Sequence, residues 1–542
     1  MTAQNAVRRA MTEALSMPAT SRGRLRSVIR RGSAWLAASA SDDHASLRLV
    51  VAFAALHAVL WTVILTVLKA AQDVHFDVAE AYAWGQKFLL GYGKHPPLSG
   101  WVAGVWFMVF QAANWATYAL AMATLGCGMV ICWLLALRVV DRRRAFFVVV
   151  MLALYPIFNF KGFKYNPDLL QLVTLPLLVL AYLDAFEKRT ARAGLWLGLA
   201  GAAALMTKYW VVTMIGAIGL AALIHPARMN FLRSPAPWVA IAVLAVAMIP
   251  HAVWLVQVNF VPFTYAGEVY SITNPNTIRE LALGYLGHNA ALLALPVVLA
   301  AAVLAWPVRG LRPFPWWARG ANSGVNVAQA VNVWIIQFVV AIGPPIGAVI
   351  FDIYLKTDWG ISLFFLVPLA LIAIPRVRVP RIAVVRLAAI WLVITLAVLL
   401  ASPQIVAYDA REGGHEGTTW RARSELARQL SEVWHARSPS RWAVVVAYND
   451  IGEPITFYSP DHPASLVPGE LWSSGLTSME EAKRQGFIGV CEVGDWKLDK
   501  CEAWMKDNAA GGDRMVITTR RFFQGKAGDA TAWNIHIVPP AK

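Results

Sequence analysis

From residue 49 to residue 400 the chain is a succession of long apolar blocks separated by short polar stretches. A water-soluble fold cannot hide so much Leu, Val, Ala and Trp, so the blocks read as membrane spans. They fall near 49–69, 115–137, 145–158, 167–184, 193–207, 210–225, 237–257, 288–306, 331–351, 360–374 and 380–400. Several are shorter than the ~20 residues of a perpendicular span, and their ends are the least fixed part of the reading. Composition agrees: 58% of the 542 residues are hydrophobic and 15% charged, against about 25% charged in ordinary soluble domains.

The charges supply the threading. Residues from 402 onward carry 16 Lys/Arg and 18 Asp/Glu, whereas the first 401 carry 32 and 14. The basic excess therefore lies in the hydrophobic part, in Arg138–Arg144, Lys188–Arg192, Arg228–Arg233, Arg309–Arg319 and Arg376–Arg381. Every second loop is basic, which orients those loops to the cytoplasm. Such a pattern speaks for membrane orientation rather than nucleic-acid binding. Residues 1–48 form a basic cytoplasmic lead-in, and the late first apolar run argues against a cleaved signal peptide. Eleven crossings then place the tail outside.

Three parts result: a basic segment 1–48, a membrane domain 49–401 with a long outer loop 70–114, and an outer domain 402–542. In the tail, helical patterns (418–436, 477–485, 503–508) alternate with strand-like runs (442–447, 455–458, 487–490, 515–519, 533–538), as expected of a small α/β domain. Cys491 and Cys501 are ten residues apart there; if the tail lies in an oxidising compartment they are candidates for a disulfide, which the sequence alone leaves open. Cys127 and Cys132, inside an apolar block, read as packing residues. No cysteine cluster has metal-ligand spacing.

The chemistry-bearing residues gather in the outer loops. In the first loop Asp77 and Glu80 are three apart and share a helix face. Tyr82, Trp84 and Phe88 suit a helix lying at the interface. Gly91 and Gly93 end it, and Lys94 and His95 follow. An interfacial helix with ordinary solvated carboxylates competes with this reading. The second loop carries Lys161, Lys164, Asn166 and Asp168, with Pro167 at the start of the next span. Lys208 lies between two short spans, and Lys356 lies between Asp352 and Asp358. Outer-face lysines run against the positive-inside bias and can hold a phosphate as movable point charges. Snorkelling, helix-end charges and structural ion pairs are the ordinary explanations of each.

Together these loops describe a cavity between apolar spans with carboxylates beside lysines. A lipid-linked phosphate fits it, with its tail among the helices and its head on the cations. Glycosyl transfer from a polyprenyl phosphate follows. A carboxylate takes the acceptor hydroxyl proton, cations stabilise the departing phosphate, and one displacement at the anomeric carbon inverts configuration.

Asp77-Val-Ala-Glu80 through Gly91-Tyr-Gly-Lys-His-Pro-Pro-Leu98 resembles the first outer loop of the bacterial dolichyl-phosphate-mannose-protein mannosyltransferase-like enzymes. These are relatives of the lipid A aminoarabinose transferase and the rhizobial galacturonosyltransferases. Phe158–Asp168 and Met206-Thr-Lys-Tyr209 fit the same group, and the likeness spans roughly 50–400. The resemblance implies a GT-C fold, a multispan helical bundle of the bacterial inner membrane with interfacial helices in its first outer loop and a C-terminal periplasmic domain. It implies polyprenyl-phosphate monosaccharide donors and an acceptor that is lipid A, another glycan, a membrane lipid or a protein, and it ties the chain to lipopolysaccharide biosynthesis. Asp77 takes the role of catalytic aspartate and Glu80 that of its companion. Lys94 or His95 takes the next positive site, and Lys161, Lys164 or Lys208 lies near the donor phosphate. Lys356, Tyr82 and Asn166 complete the substrate-binding set. Members with adjacent Asp-Glu differ from this chain, where Ala79 precedes Glu80, so the division of labour between the two carboxylates stays open. Members also differ in metal use; no cofactor is certain from the sequence, and a divalent metal stays open because no ligand set selects one.

Two other functions compete. A transferase of another lipid-phosphate-borne group needs a hydroxyl, thiol or histidine nucleophile, and no such arrangement is visible. A flippase for lipid-linked saccharide needs polar residues deep in several spans, whereas most are apolar to their ends.

Overall fold

The computed structural model describes residues 43–541, apart from 271–273, 307–323, 413–416 and 471–472. The basic segment 1–42 and the loop containing Arg309, Arg312 and Arg319 lie outside the described residues. The protein is a multispan helical membrane bundle joined to a small α/β domain.

Seven helices are long and apolar enough to cross a bilayer: Ser46–Leu68, Asn114–Ala136, Pro167–Lys188, Pro235–Gln257, Pro275–Ala305, Val327–Phe351 and Arg381–Arg411. Arg142–Leu154 continues into Pro156–Phe163 through a 79° bend and makes an eighth if the pair counts as one span. Pro156 lacks the N–H that would continue the helix, which accounts for the break. Leu98–Val109, Ala191–Leu205 and Tyr209–Ile224 are shorter apolar helices. The segment expected as a span at 360–374 is not one continuous helix, although it runs from the cavity at Trp359 to Val377, whose carbonyl accepts from Arg144 at 3.0 Å. There the chain forms short 3₁₀ turns, Thr357–Gly360 and Phe364–Leu366, then a six-residue helix, Val367–Ile372. Leu363, Phe365 and Leu366 are buried, so protein rather than lipid covers this irregular backbone.

Glycines let the shorter helices pack closely. A side chain at Gly194 or Gly198 would collide with the backbone of Ala236 or Ala240 on the neighbouring helix, the close approach that small residues four apart permit. The first loop uses the same device. Its helix, Phe76–Gly85, crosses Leu98–Val109 where Gly85 meets the backbone of Gly104. The loop helix ends at Gly85, ahead of Gly91 and Gly93, and Phe88 lies beyond it.

The last membrane helix runs on to Glu412. The tail then folds around a five-stranded sheet of order β2-β1-β3-β5-β4, with β1 Val444–Val446, β2 Ala464–Leu466, β3 Phe487–Glu492, β4 Asp513–Phe523 and β5 Lys526–Val538. β2, β1 and β3 are parallel; β3, β5 and β4 are antiparallel. Successive side chains face opposite sides. Val445 joins Trp434, Trp442 and Trp533 under the helices Arg423–His435 and Asn449–Tyr458. Val444 and Val446 join Phe487 and Met505 on the other face. The segment 455–458, expected as a strand, is the end of the helix Asn449–Tyr458; four apolar residues alone do not fix the period. Cys491 and Cys501 are disulfide-bonded, while Cys127 and Cys132 are free.

Asp73 fastens the tail to the bundle. Its carboxylate accepts from the backbone N–H of Arg423 at 2.8 Å and pairs with the Arg521 guanidinium. Arg521 also donates to the Ala71 carbonyl at 2.7 Å. The Tyr458 hydroxyl donates to Asn114 at 2.9 Å and accepts from the Val74 N–H at 2.8 Å. The Asp73 side chain is 1% exposed, so removing its charge strands a cation in a dry interface. Asp73→Asn is expected to weaken tail docking by about 3 kcal/mol. Limited proteolysis of the lipid-embedded protein measures this as faster release of the tail; wild-type cleavage rates would refute the anchor.

Candidate active site

The loop helix and the turn after the bent helix meet at the tail-side end of the bundle. Between them lies a cavity of about 370 Å³. Asp77 enters it from the first turn of the loop helix, where His75 is the N-cap and accepts from the Asp77 N–H at 3.2 Å. Asn166 enters from the opposite wall and serves two elements. Its Oδ1 accepts from the Leu169 N–H and caps the helix Pro167–Lys188, while its Nδ2 donates to Asp77 Oδ2 at 3.0 Å. Lys164 Nζ is 3.4 Å from the same oxygen. The sequence Lys164-Tyr-Asn-Pro-Asp168 thus places a cation, an amide and a carboxylate around one helix start.

The cavity holds four lysines, Lys69, Lys161, Lys164 and Lys356, and three aspartates, Asp77, Asp168 and Asp358. Lys208 reaches it indirectly, donating to both oxygens of Asp168 at 2.7 and 2.9 Å beneath the Trp359 ring. Lys161 lies 3.4 Å from His288, whose same nitrogen is 3.3 Å from Asp358. Lys69 sits over the Phe163 ring at 4.6 Å.

Of the residues the sequence singled out, Asp77, Lys161, Lys164, Asn166 and Lys356 line this cavity together. Glu80, Lys94, His95, Lys208 and Tyr82 do not. Glu80 and Lys94 form a buried ion pair behind the loop helix, so Asp77 and Glu80, though three apart, are separated by environment. His95 stands edge-on to Trp84, with its carbonyl accepting from Tyr92 at 3.0 Å. Tyr82 is buried against Phe107 and Phe457, where the tail docks. Lys69, His75, His288 and Ser362 escaped the sequence reading. Lys69 carried a usable signal: a lone cation at the end of the first span opposite the basic N-terminal segment.

The electrostatics of Asp77 are a contest. Burial pushes its carboxyl up, but His75, Lys164, the Asn166 hydrogen bond and Lys94 outweigh that and hold it well below the usual carboxylate range. His75 is itself lowered to about 4, chiefly by burial. Asp77 is therefore a carboxylate with its basicity suppressed for as long as Lys164 and Asn166 stay on it. Among the described residues, Cys491, Glu502 and His536 are the three with metal-ligand spacing. They lie in the tail, where Cys491 is committed to the disulfide.

Residues 94–254 match the family described as dolichyl-phosphate-mannose-protein mannosyltransferase. That stretch begins after Asp77 and Glu80 and is shorter than the 50–400 likeness expected from the motifs. The chain is 26% identical over 200 residues to lipid A galacturonosyltransferase RgtD of Rhizobium johnstonii, which is 36% of this chain and 41% of that protein. The alignment thus spans under half of that relative. The crystal structure of ArnT from Cupriavidus metallidurans in the apo state superposes with a TM-score of 0.57 at 14% identity, covering 90% of this chain and 98% of that one. The same protein bound to undecaprenyl phosphate gives 0.56 at 14%, with the same coverage. The chain has the GT-C fold of ArnT, and part of its membrane domain is similar in sequence to the mannosyltransferase family model and to RgtD.

Proposed function

We propose that this protein is an inverting glycosyltransferase that moves a monosaccharide from a polyprenyl-phosphate donor to an envelope glycan or lipid. The reaction is placed at the periplasmic face of a bacterial inner membrane. One observation carries the reading: a carboxylate, Asp77, lies in a cavity with four lysines at the end of a GT-C bundle. The relative named for galacturonosyl transfer to lipid A and the ArnT structure holding undecaprenyl phosphate support the choice of donor and acceptor class.

The residues divide the work. The donor phosphate binds Lys164, Lys161 and Lys356. The lysines suit a group that must leave, because a point charge on a flexible stem follows a moving phosphate better than a fixed guanidinium fork. Among the described residues no Arg lines the cavity. As the phosphate draws Lys164 toward itself, Asp77 loses a cation and regains basicity. The acceptor oxygen then attacks the anomeric carbon, the bond from that carbon to the phosphate oxygen breaks, and the acceptor proton passes to Asp77. The lysines take up the charge developing on the phosphate. Lys208 holds Asp168, and Asn166 keeps Asp77 aimed. This order makes the base available only when a donor is bound.

Mass spectrometry of lipids, lipopolysaccharide and envelope glycans from a deletion strain tests the reading. One species is expected to lose a fixed sugar mass and to regain it on complementation, while the polyprenyl-phosphate sugar accumulates in the deletion. Unchanged glycoconjugates with no accumulating donor would overturn it and make lipid transport the next assay.

A further inference from the structure

One carboxyl of the tail sits where the reaction above does not use it. Glu453, on the helix Asn449–Tyr458, is 5% exposed. Its Oε2 has no hydrogen-bond partner among the described residues. The helix lies on the loop helix. Phe457 packs on Ala79 and Tyr82, and Glu453, one turn earlier on the same face, comes beside the Glu80–Lys94 ion pair, whose charges act on it.

The surroundings of Glu453 hold few charges. The loop contributes Glu80, Asp77 and Lys94. Its own helix contributes Asp450, which is held by Arg423 of the helix Arg423–His435 at 2.9 Å. β1 and β2, packed against the same helix, contribute only Val, Ala, Ser and Leu. His462 turns away to the Thr456 carbonyl at 2.9 Å. Among the described residues one ammonium, Lys94, thus faces Glu80 and Glu453, with Asp77 and Glu470 also in reach of its charge, and ionising Glu453 as well would leave a negative charge uncompensated.

We propose that Glu453 carries a proton beside the Glu80–Lys94 pair and is the positioning residue through which the tail domain sets Lys94 behind Asp77. Its activity arm rests on the glycosyltransferase reading; its charge arm does not. With Glu453 neutral, Lys94 balances Glu80 alone and its charge reaches Asp77 undivided. With Glu453 ionised, Lys94 is drawn between two carboxylates and its hold on the loop helix slackens. Burial first, then the Glu80 charge, push the Glu453 carboxyl well above its ordinary range. The sign follows. The folded state keeps a proton that the unfolded chain releases near pH 4.3, so this group lowers stability progressively as pH rises from there to its folded value.

Two measurements on the full chain in nanodiscs decide the charge arm. Infrared spectra should show the carbonyl band of a neutral buried carboxyl that shifts in D₂O and disappears in Glu453→Gln. The thermal midpoint of wild type should fall with rising pH more steeply than that of Glu453→Gln, which keeps the shape and a hydrogen-bond donor. Transfer assays decide the positioning arm. Glu453→Gln should flatten the alkaline limb of kcat, whereas Glu453→Leu should lower kcat about tenfold, a modest change in the electrostatic setting of Asp77, with KM unmoved. A missing band, or parallel midpoint curves, would overturn the proposal whatever the transfer assays give. The band together with a wild type that transfers no sugar would sustain the charge arm and overturn the activity reading instead.

Discussion

Asp77→Asn is expected to lower kcat by about 10²–10⁴-fold, the usual worth of a positioned general base. The donor KM should stay level or fall. Asn keeps the size of the side chain and can still accept from Asn166, so the cavity wall survives. It also releases Lys164 from its resting ion pair, leaving that cation free for the donor phosphate. Glu80→Gln is the informative contrast. Glu80 lies outside the cavity in a buried pair with Lys94, so its loss breaks that pair and leaves buried Glu453 to ionise in its place. It should cost about 3–5 kcal/mol of stability and show first as a lower thermal midpoint. Transfer kinetics with labelled donor in nanodiscs, beside thermal unfolding of the same samples, separate the two. Full activity of Asp77→Asn would refute its assignment as the base. The pH behaviour of Asp77 has a definite sign. Its carboxyl is held below the normal range, so its stabilising ion pair is complete above about pH 4 and fades only as pH falls toward the folded value.

The amino-acid sequence exposes the site unevenly, for physical reasons. Pro167 and Asp168 read correctly as a helix start because local rules govern it: Pro is tolerated at the first position and Asn166 caps. Lys161, Lys164, Lys208 and Lys356 stand out as exceptions to a charge bias that covers the whole chain, whereas Lys69 does not. Three of those expected, Lys161, Lys164 and Lys356, do line the cavity. Helical spacing placed Asp77 and Glu80 on one face, and one face was too coarse. The covering element decides: the outer loops frame Asp77, while Lys94 and the tail helix bury Glu80. Glu453 was not legible at all, because nothing in a solvated α/β tail announces that one of its helices will lie on a loop 370 residues earlier. The broken backbone at 357–372 was not legible because hydropathy reports burial without saying whether lipid or protein does the burying, and so does not tell a continuous helix from short turns. Tyr82 likewise read as an interfacial aromatic and serves instead to seat the tail.

Lys164 tests the coupling between donor and base, because it is the one cavity lysine within 4 Å of Asp77 among the described residues. If the phosphate takes Lys164 from Asp77, Lys164→Met should do two opposed things. It should remove a charge-assisted contact to the donor, raising KM about 10–100-fold, which corresponds to about 1.5–3 kcal/mol. It should also remove a cation from the departing phosphate and cost kcat about 10²-fold. At the same time the resting Asp77 should become more basic, since the Lys164 charge no longer holds it down. The acid limb of kcat/KM, a property of the free enzyme, should therefore move to higher pH in Lys164→Met. Lys161→Met should raise KM and leave that limb in place, since Lys161 faces His288 rather than Asp77. Lys164→Arg should restore the position of the limb by keeping the charge, while a rigid fork in place of a point charge should still depress kcat. Titrating kcat/KM for the four proteins gives the comparison. Coincident acid limbs in wild type and Lys164→Met would show that Asp77 does not sense Lys164, and the substrate-gated base would fall even if both lysines bind phosphate. A shifted limb with unchanged KM would keep the electrostatic link and move the phosphate to Lys161 and Lys356. Both effects together are what a single cation shared between a resting base and an arriving leaving group requires.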